Sequence, residues 1–282
     1  MSEPIFDFDY IEYDGEHAAA VTRPVIAETP WALYVEKREW VTFMCSPIGL
    51  HQLALGFLLS EGVIGGLEDV WQLKVYLDEN RVYMYFPEAG LNGELALPTC
   101  TEAGGSIDVR LRGPAPARPQ RRTLTSGCGG GVTFDDLAGD RPPLQSDRRI
   151  TAAQVSSLMR QLNESATLYR TSRGVHTSAL SDGERLLVQA EDVGRHNTLD
   201  KIRGACMLED IPTRDRMLIS TGRISSEMIV KARKMEVPIV ISRTSPTAMS
   251  IQLARQWNMA LIGYVRGRQL RVYAGAERVV FL

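Results

Sequence analysis

Cys128 is the residue whose surroundings in the chain are best suited to chemistry. It stands in Ser126-Gly127-Cys128-Gly129-Gly130-Gly131, the most glycine-dense point of the 282 residues. Small neighbours leave its sulfur approachable. Five arginines crowd the stretch just before it, RLRGPAPARPQRR from Arg110 to Arg122, and positive charge favours the thiolate, the form that attacks another sulfur. Flexible glycines would also let the cysteine travel between a donor's site and its own acceptor site. The plainer alternative is a small residue in a tight turn. Cys45 at the end of a strand, Cys100 just after Pro98 and Cys206 on an apolar helix read as packing residues.

A second group of residues could bind an anion. Thr221-Gly222-Arg223-Ile224-Ser225-Ser226-Glu227 joins a strand to a helix, placing backbone N–H groups, hydroxyls and an arginine at one helix N-terminus, as a phosphate or pyrophosphate requires. Arg243-Thr244-Ser245-Pro246-Thr247 repeats the arrangement at the next crossover, although Ser and Thr at such positions also cap helices. Gly174-Val175-His176-Thr177-Ser178 and Glu191-Asp192-Val193-Gly194-Arg195-His196-Asn197 read as polar loops beside apolar strands. His176 and His196 could exchange protons or hydrogen-bond a ligand, or be satisfied structural groups. Arg195 and Asp192 read as braces for their loop. A zinc deaminase needs His-x-Glu followed by Pro-Cys-x-x-Cys; neither histidine is followed by that Glu and no two cysteines have ligand spacing, so no metal is expected. GxGxxG after a strand and GxxxxGK[ST] are both missing, which argues against a standard dinucleotide fold and a P-loop NTPase.

The elements that must position these residues change character along the chain. Residues 1–112 read as a smaller β-rich α+β domain. Its strands are His17 to Pro24, Trp31 to Glu36, Trp40 to Met44, and a hairpin of Val70 to Leu77 with Arg81 to Phe86 around Asp78-Glu79-Asn80. One helix is expected from Pro47 to Ser60, with Ser46 as its N-cap. Residues 113–150 read as a basic Pro/Gly-rich linker and loop carrying Cys128. Residues 151–282 open with a helix capped by Thr151 and reaching about Leu168. Apolar strands at Arg185 to Ala190, Met217 to Ser220, Pro238 to Ser242 and Met259 to Val265 then alternate with helices at Asn197 to Met207, Ser225 to Met235 and Pro246 to Trp257. That order predicts an α/β three-layer sandwich of mostly parallel strands, with ligands at their carboxyl ends. The net charge of −2, from 32 basic and 34 acidic residues, gives no global field for nucleic acid. The acidic start lacks the pattern of a signal peptide, no apolar run is long enough to span a bilayer, and sparse cysteines suit a reducing compartment, so the expected location is the cytoplasm. Exposed strands in the first half leave room for a homodimer.

SGCGGG at Ser126, GVHTSAL at Gly174, EDVGRHNTLDK at Glu191, STGRISSEMIVKA at Ser220 and LIGYVRG at Leu261 together closely resemble the FdhD/NarQ family of formate dehydrogenase accessory sulfurtransferases. EDVGRHN is the most specific of these strings. The resemblance implies a cytidine-deaminase-like α/β sandwich without the zinc, joined to a smaller domain. It implies a sulfurtransferase that takes persulfide sulfur from a cysteine desulfurase. The sulfur then passes to molybdenum in the bis(molybdopterin guanine dinucleotide) cofactor, before that cofactor enters apo formate dehydrogenase. Cys128 falls at the family's persulfide cysteine. Tyr264, Val265, Arg266, Gly267, Arg268 and Gln269 fall at its cofactor-binding stretch. Together with the arginine-rich loop, Arg223, Arg243 and Arg266 are the expected holders of the cofactor's pyrophosphates. His176, Arg195, His196, Gly222, Ser225 and Thr244 complete the expected site. Many members carry Cys-Gly-x-Cys, whereas Gly131 stands three residues after Cys128. A one-cysteine carrier can accept and donate sulfur but cannot resolve its persulfide into an internal disulfide. The same feature keeps open a non-catalytic chaperone that holds the cofactor and docks the apoenzyme.

Overall fold

The computed structural model describes residues 4–78, 81–86, 90–95, 105–117, 123–124, 132–133 and 141–281. Cys100, Cys128 with its glycines, Gly131, the turn residues Glu79 and Asn80, and the arginines at 118, 121 and 122 lie outside the described residues.

The chain opens on an antiparallel arm, β1 (Ile5–Tyr13) with β2 (Ala18–Ile26). A six-stranded sheet follows, built from β3 (Thr29–Val35), β4 (Arg38–Cys45), β5 (Val70–Asp78), β6 (Arg81–Phe86), β7 (Gly90–Leu95) and β8 (Gly105–Leu111). Its strand order is β4-β3-β8-β5-β6-β7. The helix α1 (Leu50–Ser60) packs its leucines and Phe57 against one face of it. The expected start of this helix at Pro47 is corrected: Gly49, at φ 58°, is the N-cap. Ser46 is buried and committed elsewhere. Its backbone N–H donates to Asp192 Oδ2 (3.2 Å), its hydroxyl accepts from Val193 N–H (3.2 Å), and its carbonyl accepts from Lys201 Nζ (3.1 Å).

Two short pairs, β9 (Thr123–Leu124) with β10 (Val132–Thr133) and β11 (Ile150–Thr151) with β18 (Val279–Val280), lie between and after the main sheets. The second half runs α2 (Ala152–Ser165), α3 (Thr167–Ser172), β12 (His176–Ser181), β13 (Leu186–Asp192), α4 (Arg195–Leu208), β14 (Met217–Ser220), α5 (Ser226–Lys234), β15 (Ile239–Ser242), α6 (Ala248–Gln256), β16 (Ala260–Arg266) and β17 (Gln269–Ala274). The single helix expected to Leu168 is broken at Ala166 into α2 and α3.

The second sheet has the order β13-β12-β14-β15-β16-β17 and is mixed. Only β14, β15 and β16 run parallel; β12 pairs antiparallel with both β13 and β14, and β17 antiparallel with β16. Three expectations are thereby corrected: the mostly parallel sheet, the loop at Gly174 to Ser178, and the loop at Glu191 to Asn197, whose first two residues end β13 and whose last three open α4. His176 opens a strand, because Thr177 to Leu180 are buried on both faces and the short turn to β13 forms a hairpin. Helices cover both sides. Met217, Ile219, Ile239 and Ile241 pack with Val155, Leu158 and Leu162 of α2, while Leu218, Val240 and Leu261 pack with Leu199, Ile202, Ile229 and Leu253 of α4, α5 and α6. Alternation along each strand thus fills two cores.

The halves meet where α1 crosses α4. A Cβ at Gly56 would lie 1.8 Å from the carbonyl oxygen of Asp200, and one at Gly204 would lie 2.0 Å from that of Gln52. Only glycine admits so close an approach of two helix backbones.

Candidate functional site

A cleft of about 1280 Å³ opens between α2, α3 and the β16–β17 turn. Six guanidinium groups line it, those of Arg160, Arg170, Arg173, Arg243, Arg266 and Arg268, against a single carboxylate, Glu164. All six arginines are exposed. A chain with a slight net negative charge therefore concentrates positive potential at one place, where field lines for an anionic ligand are focused.

Local structure explains the placement. The capping box of Thr151 and Gln154 starts α2, whose Val155, Leu158, Met159 and Leu162 face the core and so turn Arg160 and Glu164 outward. Glu191 fixes α3 by accepting from Leu168 N–H (2.9 Å), Tyr169 N–H (3.0 Å) and the Thr167 hydroxyl (3.3 Å). The first residue of EDVGRHN thus builds a wall of the cleft. Arg173 ends α3 at φ 60°, with its guanidinium 5.5 Å from the centre of the Tyr169 ring.

On the opposite side the register of β16 with β17 shifts between Gly263 and Arg266. Tyr264 sits at φ 52°, a conformation costly for a large side chain and found where a site re-aims the backbone. Its N–H donates to the Thr244 carbonyl (3.1 Å), and Arg271 stacks 4.2 Å over its ring. Val265 packs into the core below, while Gly267, at φ 57°, turns the chain between Arg266 and Arg268. Gln269 and Tyr264 border a neighbouring depression with Arg266 and Arg268. The stretch 264–269 therefore borders the cleft and the depression beside it.

The two crossover turns are tied to each other. Ile224 N–H donates to the Ser245 carbonyl (3.2 Å), and Thr247 N–H to that of Ile224 (3.0 Å). Ser225 caps α5 by accepting from Met228 N–H (3.4 Å), and Thr247 caps α6 by accepting from Ser250 N–H (3.3 Å). Their hydroxyls thus engage N–H groups that the sequence left free for a ligand. Arg223 and Arg243 remain exposed at the mouths of the turns, and the Ser242 hydroxyl donates to the Gly222 carbonyl (2.7 Å) while contacting Thr244 Oγ1 (3.2 Å). A Cβ on Gly222 would fall 3.0 Å from Arg195 Cβ and 3.3 Å from His176 Nδ1. These three residues are brought together.

His196 is in the interior. Its Nε2 is 3.0 Å from Ser225 Oγ and 3.4 Å from Glu227 Oε2. Burial first, then the positive charges of Lys231 and Arg195, push its pKa down to about 2, so the ring is neutral and supports the cap of α5. His176 is half-buried, its pKa lowered by burial and by Arg195.

Two buried lysine–carboxylate pairs escaped the sequence reading, which had named Asp192 as a brace but not its partner. Asp192 Oδ2 lies 2.5 Å from Lys201 Nζ, and its Oδ1 accepts from Gly194 N–H (2.7 Å) and Asn197 Nδ2 (2.9 Å). Lys231 Nζ is 2.5 Å from Asp200 Oδ2 and 3.5 Å from Glu227 Oε1. Burial opposes the Lys231 charge, yet Asp200 and Glu227 overcome it and hold its pKa above the usual value. Arg160, Arg170 and Arg173 were also missed. The available signal was their common exposure on a helix pair whose apolar residues face the other way. Among the described residues no cluster of His, Cys, Asp and Glu is arranged to hold a metal ion, and no helix is long and apolar enough to cross a membrane.

Comparison with known proteins agrees across the whole length. The sulfur carrier protein FdhD of Bacillus pumilus (strain SAFR-032) is 35% identical over 260 residues, covering 92% of this chain and 91% of its own. That of Bacillus subtilis (strain 168) is 31% identical over 274 residues, covering 96% of each. A crystal structure described as a formate dehydrogenase accessory protein from Desulfotalea psychrophila superposes with a TM-score of 0.72 at 23% identity, covering 99% of this chain and 100% of that one. The profile of the FdhD/NarQ family matches residues 26–280, taking in both sheets and the cleft, so the chain belongs to the FdhD/NarQ family.

Proposed function

We propose that this protein is a sulfur carrier for formate dehydrogenase maturation, acting in the cytoplasm as a sulfurtransferase. The observation that carries the reading is the six-arginine cleft beside the 264–269 turn, in a chain whose relatives are named sulfur carriers. Cys128 thiolate attacks the outer sulfur of a cysteine desulfurase persulfide. The donor's S–S bond breaks, its cysteine leaves as thiolate, and Cys128 holds the persulfide. The cargo is the bis(molybdopterin guanine dinucleotide) cofactor. Molybdenum supplies the electron pair that bonds the outer sulfur, and the pair of the Cys128 S–S bond returns to Cys128 as thiolate. Apo formate dehydrogenase then receives the cofactor.

Guanidinium groups pair with phosphate oxygens in a planar fork. Arg160, Arg170, Arg173, Arg243, Arg266 and Arg268 would hold the cofactor's pyrophosphates, with Arg223 at the edge. Gly222 and Thr244 shape the backbone there, Arg195 and His176 back it, and His196 acts through Ser225. Helices on both faces of the second sheet support the zinc-free deaminase-like reading of residues 151–282, with 1–112 as the smaller unit and 113–150 as the segment presenting Cys128.

Incubation with a cysteine desulfurase and cysteine, followed by intact and peptide mass spectrometry, tests this. One reducible added sulfur confined to Cys128, and none on the Cys128→Ala variant, is expected. No loading beside an active desulfurase control would leave the second reading, a chaperone that binds the cofactor without carrying sulfur. Gly131 in place of a second cysteine favours that alternative.

A further inference from the structure

One carboxylate stands alone among the six guanidinium groups of the cleft. Glu164 is exposed on the last turn of α2, where the negative end of the helix disfavours an acidic side chain. It is not there to neutralise a cation. Among the described residues its carboxylate enters no ion pair and no hydrogen bond, although Arg160, one turn earlier on the same helix, also lines the cleft. Arg170 reaches the same residue but donates to its backbone carbonyl (3.1 Å). A free carboxylate repels phosphate, so it belongs in such a cleft only where the ligand also presents hydrogen-bond donors.

Guanine presents such a set. Its Watson–Crick edge places N1–H and the 2-amino group side by side, and a carboxylate, which only accepts, can take both in two parallel bonds. Adenine and cytosine turn a ring-nitrogen lone pair towards the same place, and hypoxanthine lacks the amino group. Asn163, the preceding residue, is exposed and lines the cleft too; an amide N–H suits the guanine O6 beside N1. There is room for a base beside the phosphates, since about 1280 Å³ exceeds the roughly 300–1,000 Å³ of an ordinary small-molecule site. The walls also divide the ligand. Arg266 and Arg268 flank the β16–β17 turn, whereas the free carbonyls at the end of α2 repel phosphate, so the pyrophosphate lies at the turn and the base at α2. We propose that Glu164 is the residue that selects guanine, by accepting from N1–H and the 2-amino group; this rests on the cleft being the site of the cofactor's guanine nucleotide.

Calorimetry of the full chain with guanosine, inosine, adenosine and xanthosine diphosphates tests the assignment, since the four carry the same phosphates on different bases. The unaltered protein should bind guanosine diphosphate about tenfold or more tighter than the other three. Glu164→Gln should weaken guanosine diphosphate about tenfold, because an amide N–H then faces the 2-amino group. It should tighten xanthosine diphosphate, whose carbonyl at that position accepts from the same N–H. Adenosine diphosphate should bind equally or more tightly to the variant, which a misfolded cleft would not give. A Glu164→Gln variant that keeps the preference for guanosine, or an unaltered protein indifferent to the base, overturns the role of Glu164 while leaving the arginine cleft as a nucleotide site. Failure of every diphosphate to bind would overturn it together with the reading of the cleft on which it rests.

Discussion

Lys201 is the side chain whose loss should be felt most. Its ammonium is nearly buried at 2% side-chain exposure, and it pairs with Asp192 at 2.5 Å while donating to the Ser46 carbonyl. Lys201→Met would leave a buried carboxylate without its cation, which costs about 3–5 kcal/mol. Urea unfolding should show that loss, and Asp192→Asn added to it should recover part, since the stranded charge is then gone. The sequence named Asp192 and Arg195 as braces but not Ser46, because a partner 147 residues from the braced Val193 leaves no local signal. The cleft arginines were hidden for a related reason: net charge sums over the chain, whereas a ligand meets six guanidinium groups on one surface. Arg173→Ala or Arg266→Ala should each weaken binding of guanosine diphosphate about tenfold by calorimetry, the worth of one charge-assisted contact. Raising salt should shrink both the affinity and the difference.

Elements were legible where their signal is local. The apolar periodicity of α4, α5 and α6, the capping residue of α2 and the apolar runs of β14, β15 and β16 were all readable. The antiparallel β12 was not, because its polar Thr177 and Ser178 are buried by hydrogen bonds to Glu191 and Ser220, supplied by other segments, and Ser181 by one to the Arg185 carbonyl across the hairpin turn. The crossing of α1 over α4 was equally invisible, since glycine inside a helix pattern looks like a local weakness. Gly204→Ala decides between the two meanings. Helix propensity alone would stabilise by about 1 kcal/mol. The new Cβ, however, would meet the Gln52 carbonyl at 2.0 Å, a backbone atom that cannot rotate away, and overpacking of this kind costs about 1–3 kcal/mol or more. A melting temperature lowered by several degrees is the expected result; a raised one would mean that the helices separate freely.

At the scale of the whole molecule, buried histidines set how stability responds to acid. His51, His176 and His196 all have pKa values lowered by burial, His196 to about 2. The unfolded chain takes up protons on these rings as pH falls through about 6.5, while the folded chain resists. Stability is therefore intact above that pH and is lost below it, continuing for His196 down towards its folded value. By pH 5 His196 alone accounts for about 2 kcal/mol. The carboxyls of Asp14 and Asp182, held below the ordinary carboxylate range chiefly by backbone N–H groups, act with the same sign but at lower pH, whereas burial raises the Asp200 carboxyl and gives it the opposite sign, so the part due to His196 is read as a difference between variants. His196→Gln keeps a neutral donor for Ser225 and cannot titrate. Urea midpoints measured between pH 7.5 and 5 should fall less steeply for this variant, by about one proton's worth of slope. Equal slopes would show that the His196 ring takes up its proton alike in the folded and unfolded chains, and the neutral support it gives the α5 cap would then have to be abandoned.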